Sequence, residues 1–187
     1  CIENKSVGQL NILSGNIIAS KNGIRNLGGT LNILGGTIAN TSTAADGEDS
    51  AVYAAKGSAT VIAGNAKLSG FNTALRAYGA DVTVSENAYL SGKFGVMIFN
   101  DEADNIESAV PSQLTMTGGT IEASYGFALS GNNTMSALCS AEITGGTLKS
   151  IDDGTAIYWP MEGKLTVGGN AVVTGGTGIE AKMGTIT

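Results

Sequence analysis

The chain has 187 residues, with 28 glycines, two prolines, two cysteines, no histidine, 14% charged residues and a net charge of −6. Collagen needs far more proline, a disulfide-stapled mini-protein more cysteine, and a disordered chain more charge and less Ile, Leu and Val. The absent histidine removes Ser-His-Asp, Cys-His and His-ligated zinc chemistry, and an acidic chain with two arginines is a poor partner for nucleic acid.

The length suits one domain over 1–187 with a sizeable core. No apolar run is long enough for a transmembrane helix. The chain begins at Cys1 rather than Met and reads as a mature or excised piece of a longer repeat protein. Low charge and abundant Thr, Ser and Asn are the composition of an extracellular bacterial protein.

Taken in chain order, one phrase recurs. Residues 10–17 carry it around Ser14-Gly15-Asn16, and residues 31–38 read Leu-Asn-Ile-Leu-Gly-Gly-Thr-Ile. Residues 62–68 and 84–90 hold a variant one residue longer, with Asn65 and Asn87 at the turn. The Gly-Gly-Thr form returns at 114–121 and 141–148, and the longer form at 167–173 with Asn170. Anchored on Ile12, Ile33, Ile62, Val84, Met116, Ile143 and Val167, the spacings are 21, 29, 22, 32, 27 and 24. A constant unit of about 21 residues with loops of different length follows. Ile186-Thr187 matches Leu165-Thr166, so an eighth unit begins there.

A second phrase precedes each anchor by about ten residues: small, large apolar, variable, often apolar. Its large residues read as Ile24, Val52, Leu75, Val96, Phe127, Ile157 and Ile179. This is the period-two alternation of a half-buried strand. Each unit therefore holds three short strands: the variable phrase, the Leu-Thr-Val phrase, and the Thr-Ile phrase after the Gly-Gly turn. Such a unit cannot bury a core alone, but stacked units can.

These repeats resemble the right-handed parallel β-helix of the pectin-lyase-like superfold, and more narrowly the Gly-Gly-Thr-Ile repeats of bacterial cell-surface proteins. The resemblance implies an all-β solenoid of about seven to eight three-strand rungs. It leaves function open, because lyases, hydrolases, tailspikes and adhesins share the superfold.

Excess spacing places inserts near 41–50, 100–113 and 131–140. The first two hold Asp46, Glu48, Asp49, Asp101, Glu102, Asp104 and Glu107. Clustered oxygens leave calcium as the one candidate cofactor, yet no calcium-loop spacing is present and solvated loops explain the charge. Cys1 and Cys139 lie about five units apart, too far to pair. Asp152-Asp153 before Gly154 reads as a turn. Gly176-Thr177-Gly178-Ile179-Glu180-Ala181 mimics a dinucleotide fingerprint without the helix that motif requires.

The outward positions of the variable phrase are the informative ones. Elsewhere outward residues are mostly Asn, Thr and Ser; here Tyr53, Arg76, Tyr78, Met97, Phe99 and Tyr158 fall on adjacent units. These residue types are enriched at binding hot spots. The expected function is a non-catalytic, adhesin-like surface module presenting this face to a host protein, such as an immunoglobulin or mucin, or to a glycan. The alternatives are a polysaccharide lyase or glycoside hydrolase, weakened by the lack of an acidic ladder beside Arg76, and a plain spacer stalk.

Overall fold

Alternation in a short strand sends every second side chain to one side, and a stack of such strands lines those side chains into a column. The computed structural model, which describes residues 2–5, 7–43, 49–101, 108–132 and 138–187, is built from such columns. The strands pair in parallel with their copies in the next turn, and there is no helix among the described residues. The result is a parallel β-solenoid of about seven turns.

Among the described residues the variable sheet has eight strands: Ile2–Asn4, Ile24–Asn26, Ser50–Ala54, Thr73–Tyr78, Phe94–Phe99, Leu129–Ser130, Thr155–Trp159 and Thr177–Ala181. The Leu-Thr-Val sheet starts with Gln9–Ile12, Thr30–Ile33, Ala59–Ile62 and Asp81–Val84, and the Thr-Ile sheet with Asn16–Ala19, Thr37–Asn40, Lys67–Gly70 and Tyr89–Gly92. In the fifth and sixth turns these two phrases run together as Gln113–Ala123 and Ser140–Ser150, where the sequence predicts a break at Gly-Gly. The break survives as a register shift around Thr117. Lys164–Val167, Val172–Thr174 and Thr185–Ile186 complete the stack, the last pairing Leu165 with Ile186.

The core is a continuous column. Ile33, Ile62, Val84, Met116 and Ile143 stack from the Leu-Thr-Val sheet, and Ile38, Leu68, Leu90, Ile121 and Leu148 from the Thr-Ile sheet, all with no exposure. Polar residues enter the inward rows at several places, among them Asn4, Asn26 and Thr60. Thr60 pairs with Leu31 and Val82. Its hydroxyl accepts a hydrogen bond from Asn26 Nδ2 at 3.1 Å, and Asn4 Nδ2 in turn donates to Asn26 Oδ1 at 2.9 Å. A short buried amide ladder thus satisfies groups that would be costly unpaired.

The Gly-Gly turns need glycine for a stated reason. Gly36 has φ +83°, and a Cβ there would lie 2.5 Å from the Gly15 carbonyl oxygen of the turn below. In the longer turns Gly64, Glu86 and Gly169 take the positive φ instead. Asp152 and Asp153 both sit at φ +59°, in an exposed left-handed turn. The dinucleotide-like stretch is strand, not helix.

One unit departs from its predicted register. Phe127 is read from the sequence as the inward residue of the fifth variable phrase, but Leu129 occupies that position, paired with Val96 and Ile157. Both phrases fit a small-apolar-variable pattern. Leu129 fits the column and is fully buried, whereas Phe127 is displaced to the outside.

Candidate functional site

Because the variable strands are in register, their first outward residues form one row: Glu3, Arg25, Tyr53, Arg76, Met97, Ser130, Tyr158 and Glu180. Tyr78 and Phe99 start a second row beside it. Rungs are about 4.8 Å apart, which is close to the separation at which aromatic rings stack offset. The rings use it. Tyr53 stacks on Tyr78 with centroids 5.4 Å apart, and Tyr78 on Phe99 at 4.6 Å.

Cations close the stack. The Arg25 guanidinium lies 5.5 Å from the centre of the Tyr53 ring and is tied to Glu3 at 2.8 Å. The Arg76 guanidinium lies 5.5 Å from the centre of the Phe99 ring, within cation–π range, and reaches Met97 Sδ at 4.0 Å. Arg76 has no ion pair among the described residues, and its Nε is buried without a hydrogen-bond partner. The carboxyl of Glu3 sits below the usual carboxylate range because Lys5 and Arg25 hydrogen-bond to it.

Of the six residues singled out from the sequence, five come together: Tyr53, Arg76, Tyr78, Met97 and Phe99. Phe99 is only 4% exposed, so it supports the face rather than presenting it. It stands at the foot of the 100–113 insert, where its carbonyl accepts hydrogen bonds from the Ser112 backbone and hydroxyl. The neck of that insert is closed by Asp101. Burial would raise its pKa, but Lys56 at 2.6 Å and the Val110 N–H outweigh it and hold the carboxyl low.

Tyr158 does not join the five. It stacks on Phe127 at 4.7 Å, and Phe127 lies 6.2 Å from Phe94. Sequence reading misses this second cluster because Phe127 is assigned inward and Phe94 falls before the phrase. A third group lies at the corner between the Thr-Ile and variable sheets, where Lys93 Nζ sits 5.0 Å from the centre of the exposed Tyr125 ring.

Other candidates resolve as follows. A polar groove of about 220 Å³ lies on the Leu-Thr-Val sheet, lined in part by Gln113, Thr115, Glu142, Lys164 and Thr166. On the Thr-Ile sheet Glu122 bonds Lys149 at 2.5 Å. Burial opposes ionisation of Glu122, but Lys149 and Tyr89 prevail and lower its pKa; burial and that carboxylate raise the Tyr89 pKa. Among the described residues no three His, Cys, Asp or Glu side chains gather as a metal site. Asp46, Glu48, Glu102, Asp104 and Glu107 lie outside the described residues, as does Cys1. Cys139 is a free thiol inside the core, with burial pushing its pKa to about 12. Asn87 Nδ2 donates to Asn65 Oδ1 at 3.5 Å between neighbouring turns, whereas Asn170 stands turns away.

No helix among the described residues is long and apolar enough to cross a membrane. Compared with family models, curated proteins and solved structures, the chain matches none.

Proposed function

We propose that the chain is a non-catalytic, adhesin-like binding module of a bacterial surface, and that its variable sheet docks a partner protein through Tyr53, Arg76, Tyr78 and Met97. The observation that carries this reading is Arg76. In a chain of net charge −6, this guanidinium has no carboxylate partner among the described residues and is held between an aromatic ring and a thioether. A partner carboxylate placed there finds a fork already oriented, so little side-chain entropy is lost on binding.

A protein partner suits the face better than a glycan. Sugars stack on open ring faces, but Tyr78 is stacked by rings on two sides and Tyr53 lies between Tyr78 and Arg25. What remains at the surface is ring edges, hydroxyls and guanidinium, the side-chain chemistry of protein hot spots. The stacking also favours a second reading, in which the ladder simply stiffens a spacer stalk.

The two readings separate in one experiment. Wild type and an Arg76→Ala variant are passed over immobilised immunoglobulin G and mucin, with thermal melts recorded alongside. The binding reading expects the wild type to bind one of them and the variant to lose at least tenfold in affinity with its melt unchanged. Equal behaviour of the two proteins on both surfaces removes the site assignment. Incubation with a polysaccharide panel, read at 235 nm and by reducing ends, tests the lyase and hydrolase alternatives.

A further inference from the structure

The corner between the Thr-Ile and variable sheets carries a strip that the phrases do not include. Phe71 follows the strand Lys67–Gly70, Lys93 follows Tyr89–Gly92, and Tyr125 follows the strand ending at Ala123. Backbone hydrogen bonds fix them on three successive turns: Lys93 N–H donates to the Phe71 carbonyl, and Gly126 N–H to the Lys93 carbonyl. Phe71 is 53% and Tyr125 73% exposed, and neither stacks on another ring among the described residues. Lys93 has no carboxylate within ion-pair distance among the described residues. The order along the solenoid is ring, cation, ring, with the rings two turns or about 10 Å apart.

On the variable face rings are sandwiched by other rings; here no ring covers Phe71 or Tyr125 among the described residues, and Tyr125 keeps most of its surface exposed beside Lys93 Nζ, 5.0 Å from its centre, which leaves aromatic surface for the C–H face of a pyranose. The rings are about two sugar lengths apart, so they take two sugars of a chain with a third lying between them. A cation between them matches an acidic sugar between two uncharged ones. One turn further, Asp152 and Asp153 stand in an exposed turn just after Ile151 and repel a polymer charged at every sugar.

We propose that Phe71, Lys93 and Tyr125 form a binding strip for a linear glycan in which uronate and uncharged hexosamine alternate, lying along the solenoid axis. The proposal does not depend on the variable sheet binding anything. Its test is titration of the chain with a hyaluronan octasaccharide, followed by calorimetry and by NMR shifts of the aromatic side chains. Wild type binds it, binding weakens in 0.5 M salt as the Lys93 contribution is screened, and an oligogalacturonate of equal length and an uncharged N-acetylglucosamine oligomer bind at least about tenfold more weakly. Phe71→Ala and Tyr125→Ala each lose about tenfold, while Arg76→Ala binds as wild type. Phe71, Lys93 and Tyr125 are exposed, and unchanged melts of the ring variants confirm that they fold. No binding of hyaluronan by wild type, equal affinity for the homopolymer, or undiminished binding by the ring variants overturns the proposal.

Discussion

Truncating Tyr78 removes the middle ring of the ladder, and the cost follows from what it touches. Tyr78 contributes to two stacked pairs, with Tyr53 at 5.4 Å and Phe99 at 4.6 Å. Each such pair is worth about 0.5–1.5 kcal/mol beyond area. Tyr78 is half-buried, so the lost burial adds about 1 kcal/mol. Phe99, almost fully covered in the wild type, is left partly exposed by the change. Tyr78→Ala is therefore expected to lose about 2–4 kcal/mol, read by urea unfolding, with a melt lowered by about 4–16 °C. Tyr78→Phe keeps both stacks and recovers most of that loss. A Tyr78→Ala variant within about 0.5 kcal/mol of wild type, or a Phe variant as costly as the Ala variant, would refute the idea that ring stacking stabilises this sheet.

Three further outcomes are expected. Leu129→Ala creates a core cavity and costs about 2–5 kcal/mol, whereas Phe127→Ala costs about 1–2; the reverse order in urea unfolding would restore Phe127 to the inward row. Gly36→Ala is costlier than Gly57→Ala. Both have positive φ, worth about 1–2 kcal/mol, but only Gly36 has a backbone oxygen 2.5 Å from the new Cβ, and equal melts would remove the steric argument. Glu122→Gln lowers stability at pH 7. The folded pKa of Glu122 is depressed below the ordinary 4.5, so its contribution is full above that value and lost as pH falls through the folded pKa. The gap between wild type and variant should narrow in acid-titrated melts only as the pH falls below 4.5 and through the lower folded pKa, and a gap that does not narrow in acid contradicts the ion-pair account.

The architecture was legible because its cause is local. An inward column demands a β-branched or leucine residue at most fixed positions, and a turn packed against the turn below demands glycine, so both recur, at Ile33, Ile62, Ile143, Gly36 and Gly119. The fifth variable strand misled because Gly126-Phe127 and Ala128-Leu129 satisfy the same pattern two residues apart, a shift that preserves facing; only the neighbouring columns decide between them. Composition likewise found the aromatic face but not its geometry. Spacing placed Tyr53, Tyr78 and Phe99 near one another, while the closed neck beside Phe99 depends on Asp101, Lys56 and Ser112, residues distant in pattern. The corner strip was missed because Phe71 and Tyr125 lie between phrases, where nothing repeats.

The central claim is that Arg76 and its aromatic neighbours are a docking face and not merely a stiffener. The most direct measurement is the affinity of wild type and Arg76→Ala for immobilised immunoglobulin G and mucin, at matched thermal stability. The binding account expects wild-type binding to one surface and at least a tenfold loss in the variant. Absence of binding to both, or equal affinity of the two proteins, contradicts it.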